Sequence, residues 1–367
     1  MEKRVLFISN VPSPYNVEYL NELGKLINVT GVFERQTSSE RDKSWSKLNV
    51  KNFKCIILRG IKCSVDTAFS PGVLKVIKQF KNEYVIIGNP TTPTGILSIF
   101  YCKFKKIEFI LQSEGGIPGN GKGFKESFKK ILMRGAKLYL SGMRPDRDYF
   151  LTYGATVDSI VQYPFASMHQ DDIRKEFVSD IEKQVAKESL KINESIMILY
   201  VGRFIPGKGI DELIKACSGI GDLGLYLVGG EKNDEYENLS QKERVRTHYI
   251  NHCNFDTLRN YYLAADIFVL PTHSDTWGLV INEAMSFGLP VITTNMCVAG
   301  LELIKNGENG YIVPVNDWKL INRHIVDLIN YPETRKEMGQ RNLIKIRSYS
   351  YEVMAETIYK ALICCQN

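Results

Sequence analysis

The chain is predicted to be an α/β protein built on two doubly wound, mostly parallel sheets, and three observations carry that expectation. Its 367 residues exceed one ordinary core and fit two domains of common size. Short apolar runs alternate with stretches of helical periodicity along the chain. The alternation lapses between Ala166 and Glu194, where charged residues dominate, and then begins afresh.

The first series opens with a buried-type strand, Val5 to Ser9, then a turn and a helix in which Val17, Leu20, Leu23 and Ile27 recur at helical spacing. Strands are expected at Cys55 to Leu58, Tyr84 to Ile87, Phe109 to Gln112, Leu138 to Leu140 and Ile160 to Gln162. The second series has Ile196 to Val201, Leu223 to Val228, Ile267 to Leu270 and Val291 to Thr293, again separated by helical segments. A last helix is expected over Tyr351 to Cys364. The expected domains are 1–180, 181–347 and a terminal helical segment, 348–367.

With 44% hydrophobic and 24% charged residues, the composition is that of an ordinary globular chain. No apolar run approaches eighteen residues, so no transmembrane helix is expected. The run Val5 to Ile8 ends in Asn10, Pro12 and Pro14; it has a strand's length and is no secretory signal core. The eight cysteines fall in no metal-ligand spacing, so reduced thiols in a cytoplasmic protein are expected, with no zinc site. The net charge is +6, which favours anionic partners such as phosphates; no nucleic-acid partner is expected. Between Lys103 and Arg147 lie eleven basic and four acidic residues, an excess larger than that of the whole chain.

Two segments carry chemistry. In Tyr200-Val201-Gly202-Arg203-Phe204-Ile205-Pro206-Gly207-Lys208-Gly209 a buried strand runs into a glycine-rich loop and then a helix. Ligands of open α/β sheets bind at such strand ends; Arg203 and Lys208 offer a fork and a point charge to a diphosphate, or are two solvated surface cations. The second segment, Ser274 to Met285, follows the strand ending at Leu270. A helix starting at Gly278, Leu279 and Val280 presents backbone N–H groups suited to a pyrophosphate. Asp275 and Glu283 flank that terminus and can accept hydrogen bonds from sugar and ribose hydroxyls; the plainer reading is a carboxylate near a helix dipole and an exposed mid-helix glutamate.

Together with Leu225 to Gly230, Ala265 to Pro271 and Gly288-Leu289-Pro290-Val291-Ile292, these segments resemble glycosyltransferase family 4, of the GT-B fold, from about Ile196 to Pro314. The resemblance implies two facing Rossmann-like domains, the C-terminal helix crossing back to the first, and a bacterial surface-polysaccharide type member. It implies that Arg203 and Lys208 hold the donor diphosphate, that Glu283 binds ribose hydroxyls and that Asp275, where relatives usually carry Glu, contacts the transferred sugar. Gly202, Gly229, Gly230, Gly278, Leu279 and Val280 complete the implied donor site, with Ile250 in a loop near the base. Trp277 stands where the family commonly has Phe.

The first domain matches less closely. Its loop Asn10 to Asn16 lacks the family's glycine pair; Ser13, Tyr15 and Asn16 are acceptor-side candidates, or parts of a proline-stiffened turn. Glu114, after the strand ending near Gln112, stands where relatives often carry His or Asp and is a candidate to orient or deprotonate the acceptor, or a turn carboxylate capping N–H groups. His273 has no metal spacing, and Asp146-Arg147-Asp148 is read as a helix start. In the segment from Phe124 to Leu140, Phe124, Phe128, Ile131 and Leu132 lie among Lys122, Lys125, Lys129, Lys130 and Arg134, as in a membrane-surface helix, although a core-facing stripe with solvated lysines is slightly favoured.

The expected activity is retaining transfer from a nucleoside diphosphate sugar, UDP preferred over GDP, to a glycan or lipid-linked acceptor. The catalytic set is Glu114, Arg203, Lys208 and Asp275, with no metal or other cofactor. A non-catalytic sugar-nucleotide binder and a sugar-nucleotide epimerase are the alternatives.

Overall fold

The computed structural model describes residues 3–37, 49–114, 123–142 and 144–364, of which 144–146 are described in backbone only. It divides into two compact units, Met1–Ala166 with Ser350–Asn367, and Ser167–Tyr349.

In the first unit, β1 (Val5–Ser9), α1 (Pro14–Leu23), β2 (Val29–Phe33), β3 (Lys54–Ile57), β4 (Ile61–Lys62) and β5 (Ala68–Phe69) come first. There follow α2 (Val73–Lys78), β6 (Tyr84–Ile87), α3 (Pro93–Lys105), β7 (Ile110–Ser113), α4 (Phe124–Met133), β8 (Leu138–Ser141), α5 (Arg144–Thr152) and β9 (Ile160–Gln162). Seven strands form a parallel sheet in the order β3-β2-β1-β6-β7-β8-β9, and β4 pairs antiparallel with β5. Every residue of β1, β2, β6, β7 and β8 is buried, which is why these strands read as continuous apolar runs.

The second unit contains α6 (Asp180–Ser189), β10 (Ile196–Val201), α7 (Ile210–Cys217), β11 (Leu223–Val228), α8 (Asp234–Glu243), β12 (Arg246–Ile250) and α9 (Phe255–Ala264). It continues with β13 (Ile267–Leu270), α10 (Leu279–Ser286), β14 (Val291–Thr294), α11 (Val298–Leu303), β15 (Gly310–Val313), α12 (Trp318–Asn330) and α13 (Pro332–Ile346). Its parallel sheet has the order β12-β11-β10-β13-β14-β15. The strand order reverses between β10 and β13, the place where such sheets open a crevice. The terminal helix α14 (Tyr351–Cys364) belongs to the first unit and packs on α1, burying Met354, Ile358 and Leu362.

The first boundary falls at Ala166/Ser167, earlier than the expected 180/181, and the second at Tyr349/Ser350. Two bonds show why residues 167–180 side with the second unit: Ser167 Oγ donates to Leu279 O at 3.3 Å, and Arg174 N to Ser286 O at 3.1 Å. Among the described residues five strands are absent from the sequence reading: β2, β12 and β15 of the parallel sheets and the short pair β4 and β5. Gly31 interrupts the apolar run of β2 because a Cβ there would lie 3.0 Å from the Phe53 ring. At the sheet edge, β12 is only partly buried, so its apolar pattern is weak.

Candidate active site

The site of the second unit starts from glycines. Gly202 N donates to Val228 O and Gly229 N to Ile250 O, both at 2.9 Å, tying together the carboxyl ends of β10, β11 and β12. Gly229 has φ +117°, and a Cβ there would lie 2.6 Å from Gly202 O; only glycine lets these backbones approach so closely. At Gly230 a Cβ would meet the Phe204 ring at 2.5 Å.

The loop after β10 then leans on the end of β13. Gly209, with φ +70°, would place a Cβ 2.1 Å from Pro271 O, and His273 N donates to Gly207 O at 2.8 Å. This contact brings Lys208 to Asp275: Lys208 Nζ lies 2.6 Å from Asp275 Oδ2, with side chains only 16% and 21% exposed. The backbone of Asp275 is pinned in turn, its N donating to Met296 O at 3.0 Å. Arg203 is exposed, and its carbonyl accepts from the buried Tyr200 hydroxyl at 3.0 Å. Burial pushes the Tyr200 hydroxyl far up; Asp275 pushes the same way and Arg203 opposes, so both charges lie within electrostatic reach of that oxygen.

Helix α10 begins at a glycine rather than a capping side chain. Gly278 has φ +98°, a Cβ there would lie 2.7 Å from Cys297 Sγ, no side chain caps the helix, and its first turn holds no acidic residue. By contrast α6, α8, α9 and α12 are capped by Ser179, Asn233, Asn254 and Asp317. The N–H groups of Leu279 and Val280 therefore belong to a positive helix end that no side chain caps. Glu283, farther along α10, is half-buried, and its Oε2 accepts from Tyr262 OH at 2.8 Å. Burial pushes its carboxyl up to about 7, against the pull of the Tyr262 hydrogen bond. The structure brings Lys208 and Asp275 into contact and sets Arg203 near them; among the described residues no hydrogen bond or ion pair joins Glu283 to these three.

Trp277 is buried, its indole N–H donating to Asn282 Oδ1 at 2.8 Å, so it serves packing beneath the loop. His273 has a defined partner, Glu212 Oε1 at 2.8 Å. Tyr200, Tyr262, Glu212 and Cys297 escaped the sequence reading. A lone tyrosine, glutamate or cysteine in an apolar run carries no signal until its neighbours across the sheet are known.

In the first unit Ser13 is buried and caps α1, accepting from Asn16 N at 3.4 Å. Tyr15 meets Phe165 edge-on at 5.6 Å. Glu114 is half-buried just beyond β7, its Oε1 3.4 Å from Gln112 Nε2; Gly115 and Gly116 lie outside the described residues. Asn16 Oδ1, Gln112 Oε1 and Tyr19 OH are buried with no hydrogen-bond partner among the described residues. Burial and, secondarily, Glu114 raise the Tyr19 hydroxyl far above its ordinary value. Buried polar atoms of this kind call for water or a ligand. The triplet Asp146-Arg147-Asp148 lies within α5.

On α4 the slightly favoured core-facing stripe holds for Phe128 and Leu132 but is corrected for Phe124 and Ile131. Phe124 is 88% and Ile131 62% exposed, and only Leu132 and Met133 are buried. Phe128 packs against Phe100 of α3 at 6.3 Å, and Phe104 of α3 is 78% exposed. Lys122 lies outside the described residues. No helix among the described residues is long and apolar enough to cross a membrane.

Comparison with known proteins bears on the site. Residues 182–343 match the family "Glycosyl transferases group 1". The chain is 31% identical over 302 residues, 78% of each chain, to the capsular polysaccharide biosynthesis glycosyltransferase CapM of Staphylococcus aureus. Among solved structures it is similar to HepE of Anabaena in complex with UDP, at TM-score 0.79 and 14% identity, over 98% of this chain and 100% of that one. A complex of HepE with UDP-glucose matches at TM-score 0.71 and 14% identity, over 99% and 100%. A glycosyltransferase from Rickettsia africae matches at TM-score 0.77 and 16% identity, over 99% of both chains. These likenesses give the two-unit α/β architecture as GT-B.

Proposed function

We propose, for a chain that belongs to the group 1 glycosyl transferases, that it transfers a sugar from a nucleoside diphosphate donor to a hydroxyl of a glycan or lipid-linked glycan in polysaccharide biosynthesis. In this reading it is a family 4 member, works with retention at the anomeric carbon and needs no metal. The observation that carries the reading is the Lys208 to Asp275 contact beside the uncapped start of α10.

The diphosphate docks on the α10 N–H groups, with Lys208 and Arg203 neutralising it. Asp275 turns to the hydroxyls of the transferred sugar, and Glu283 holds the ribose. As the bond from the anomeric carbon to the diphosphate oxygen breaks, negative charge grows on the leaving group; fixed cations and N–H dipoles aimed there lower the barrier. The acceptor oxygen forms the new bond on the same face and its proton passes to the departing phosphate. On the acceptor side, Glu114 orients the hydroxyl, and Asn16 with Tyr15 belongs to the same subsite. Ser13 contributes by fixing the start of α1. The pairing of HepE with UDP and UDP-glucose supports UDP over GDP as the donor nucleotide.

The protein works in the cytoplasm at an anionic membrane face. The exposed Phe104, Phe124 and Ile131 beside Lys105, Lys106, Lys125 and Lys130 form the mixed apolar and cationic surface that such a face binds.

Thermal unfolding in the presence of UDP, GDP, dTDP and their sugars tests the donor reading. UDP and a UDP-sugar raise the midpoint of the parent chain, and Lys208→Ala and Glu283→Ala each remove most of the rise. No shift with any nucleotide, together with no diphosphate release when acceptor glycans are supplied, overturns it.

A further inference from the structure

Tyr262 stands outside every motif considered so far, yet among the described residues it is the one hydrogen-bond partner of the Glu283 side chain. It lies on α9, fully buried, its ring stacked on Phe287 at 5.3 Å with an interplanar angle of 12°, and tilted against Phe268 of β13 at 6.2 Å. Three aromatic rings from α9, β13 and the end of α10 therefore determine where its hydroxyl points. That hydroxyl donates to Glu283 Oε2 at 2.8 Å. Among the described residues no hydrogen bond engages the other oxygen, Oε1, and Glu283 is only partly buried.

We infer that Tyr262 is a positioning residue for nucleotide binding: it ties one carboxylate oxygen of Glu283 so that the other faces the paired ribose hydroxyls of the donor. The inference rests on the donor-site reading above and adds the group that orients its ribose contact. A glutamate side chain has three rotatable bonds, and a carboxylate free to turn spends part of its time aimed away from the ligand. A fixed donor on one oxygen removes that freedom before the ligand arrives. The bond is charge-assisted only while Glu283 is ionised. Two influences act on this carboxyl: burial raises it, and the Tyr262 hydrogen bond lowers it. Tyr262 in turn feels Glu283 and Cys253. Among the described residues no lysine or arginine shifts either group.

Tyr262→Phe keeps the ring and removes the hydroxyl, and UDP is the probe. At pH 7 the substitution weakens UDP binding by calorimetry roughly tenfold and raises the donor KM by a similar factor, with kcat changed much less. Loss of the bond raises the Glu283 carboxyl further, so the pH at which half of the affinity is lost moves upward and the deficit shrinks toward pH 9. A purely structural role for Tyr262 lowers the unfolding midpoint and leaves the pH profile of binding where it was; that result overturns the inference. In a Glu283→Gln background, Tyr262→Phe has little further effect on UDP affinity; fully additive losses also overturn it. Should Tyr262→Phe alone fail to fold, Phe287→Leu, which removes the ring stacked on Tyr262 and keeps its hydroxyl, carries the same test: an upward shift in the pH midpoint of UDP binding supports the inference, and an unchanged profile overturns it. Failure of the parent chain to bind any nucleotide overturns the donor reading itself, a distinct outcome.

Discussion

Lys208 Nζ and Asp275 Oδ2 are 2.6 Å apart, across loops 67 residues distant in the chain. On the proposed reading, the cation that would hold a diphosphate is thus paired with the carboxylate that would meet the sugar. The proposed donor would then have to part this pair, each partly buried charge being compensated by the other.

Asp275→Asn removes the competing anion. UDP, which has no sugar to lose, binds to this variant as well as to the parent or up to about tenfold more tightly, while transfer from a UDP-sugar falls by roughly a hundredfold. Calorimetry beside a turnover assay checks both. Weaker UDP binding would show instead that Asp275 holds Lys208 in place.

The raised Glu283 carboxyl has a stability consequence with a definite sign. Its folded value of about 7 lies above the ordinary 4.5, so between these values the folded state holds a proton that the unfolded chain has released. Stability therefore declines as pH rises from about 4.5 to about 7 and is level beyond. Glu283→Gln removes the effect: the variant is roughly 3 kcal/mol more stable than the parent at pH 8 and equal to it near pH 4. Urea titrations at the two pH values give the comparison, and a pH-independent difference would contradict it.

Gly278→Ala places a Cβ 2.7 Å from Cys297 Sγ at φ +98°. Strain and overlap together cost roughly 2 kcal/mol, and the start of α10 shifts. The unfolding midpoint falls by several degrees, and nucleotide-induced stabilisation falls with it. A variant with parent-like behaviour in both would mean that the α10 terminus does not bind phosphate.

On α4, Lys129 is engaged with Glu126 at 3.4 Å and lies over the Tyr153 ring, so charge reversal belongs at Lys125 and Lys130. The double change to Glu, or Phe124→Ser with Phe104→Ser, reduces co-sedimentation with phosphatidylglycerol vesicles at least fivefold, while activity on a soluble acceptor is kept. Unchanged sedimentation in both variants rejects a membrane role for this face.

Much of this architecture was legible in the chain itself. Strands such as Val5–Ser9, Ile196–Val201 and Leu223–Val228 announce themselves because residues buried on both sheet faces must be apolar without interruption. Glycines stand out because 202 and 229 sit where a strand yields to a loop and 209 and 278 where a loop yields to a helix. Strands at an edge or containing glycine, such as Arg246–Ile250 and Val29–Phe33, were hidden because their patterns are diluted by polar or small residues.

What the amino-acid order alone determined is the two-series α/β plan, the succession of glycine-rich turns and the residue types available at each strand end, since all of these follow from periodicity and backbone chemistry among near neighbours. Only the tertiary structure decided that Lys208 meets Asp275, that Tyr262 holds Glu283, and that Phe124 faces outward. Those facts depend on which strands lie side by side and which helix face finds a partner. Contacts of that kind are set by packing across the sheet, where residues far apart in the chain compete for the same space.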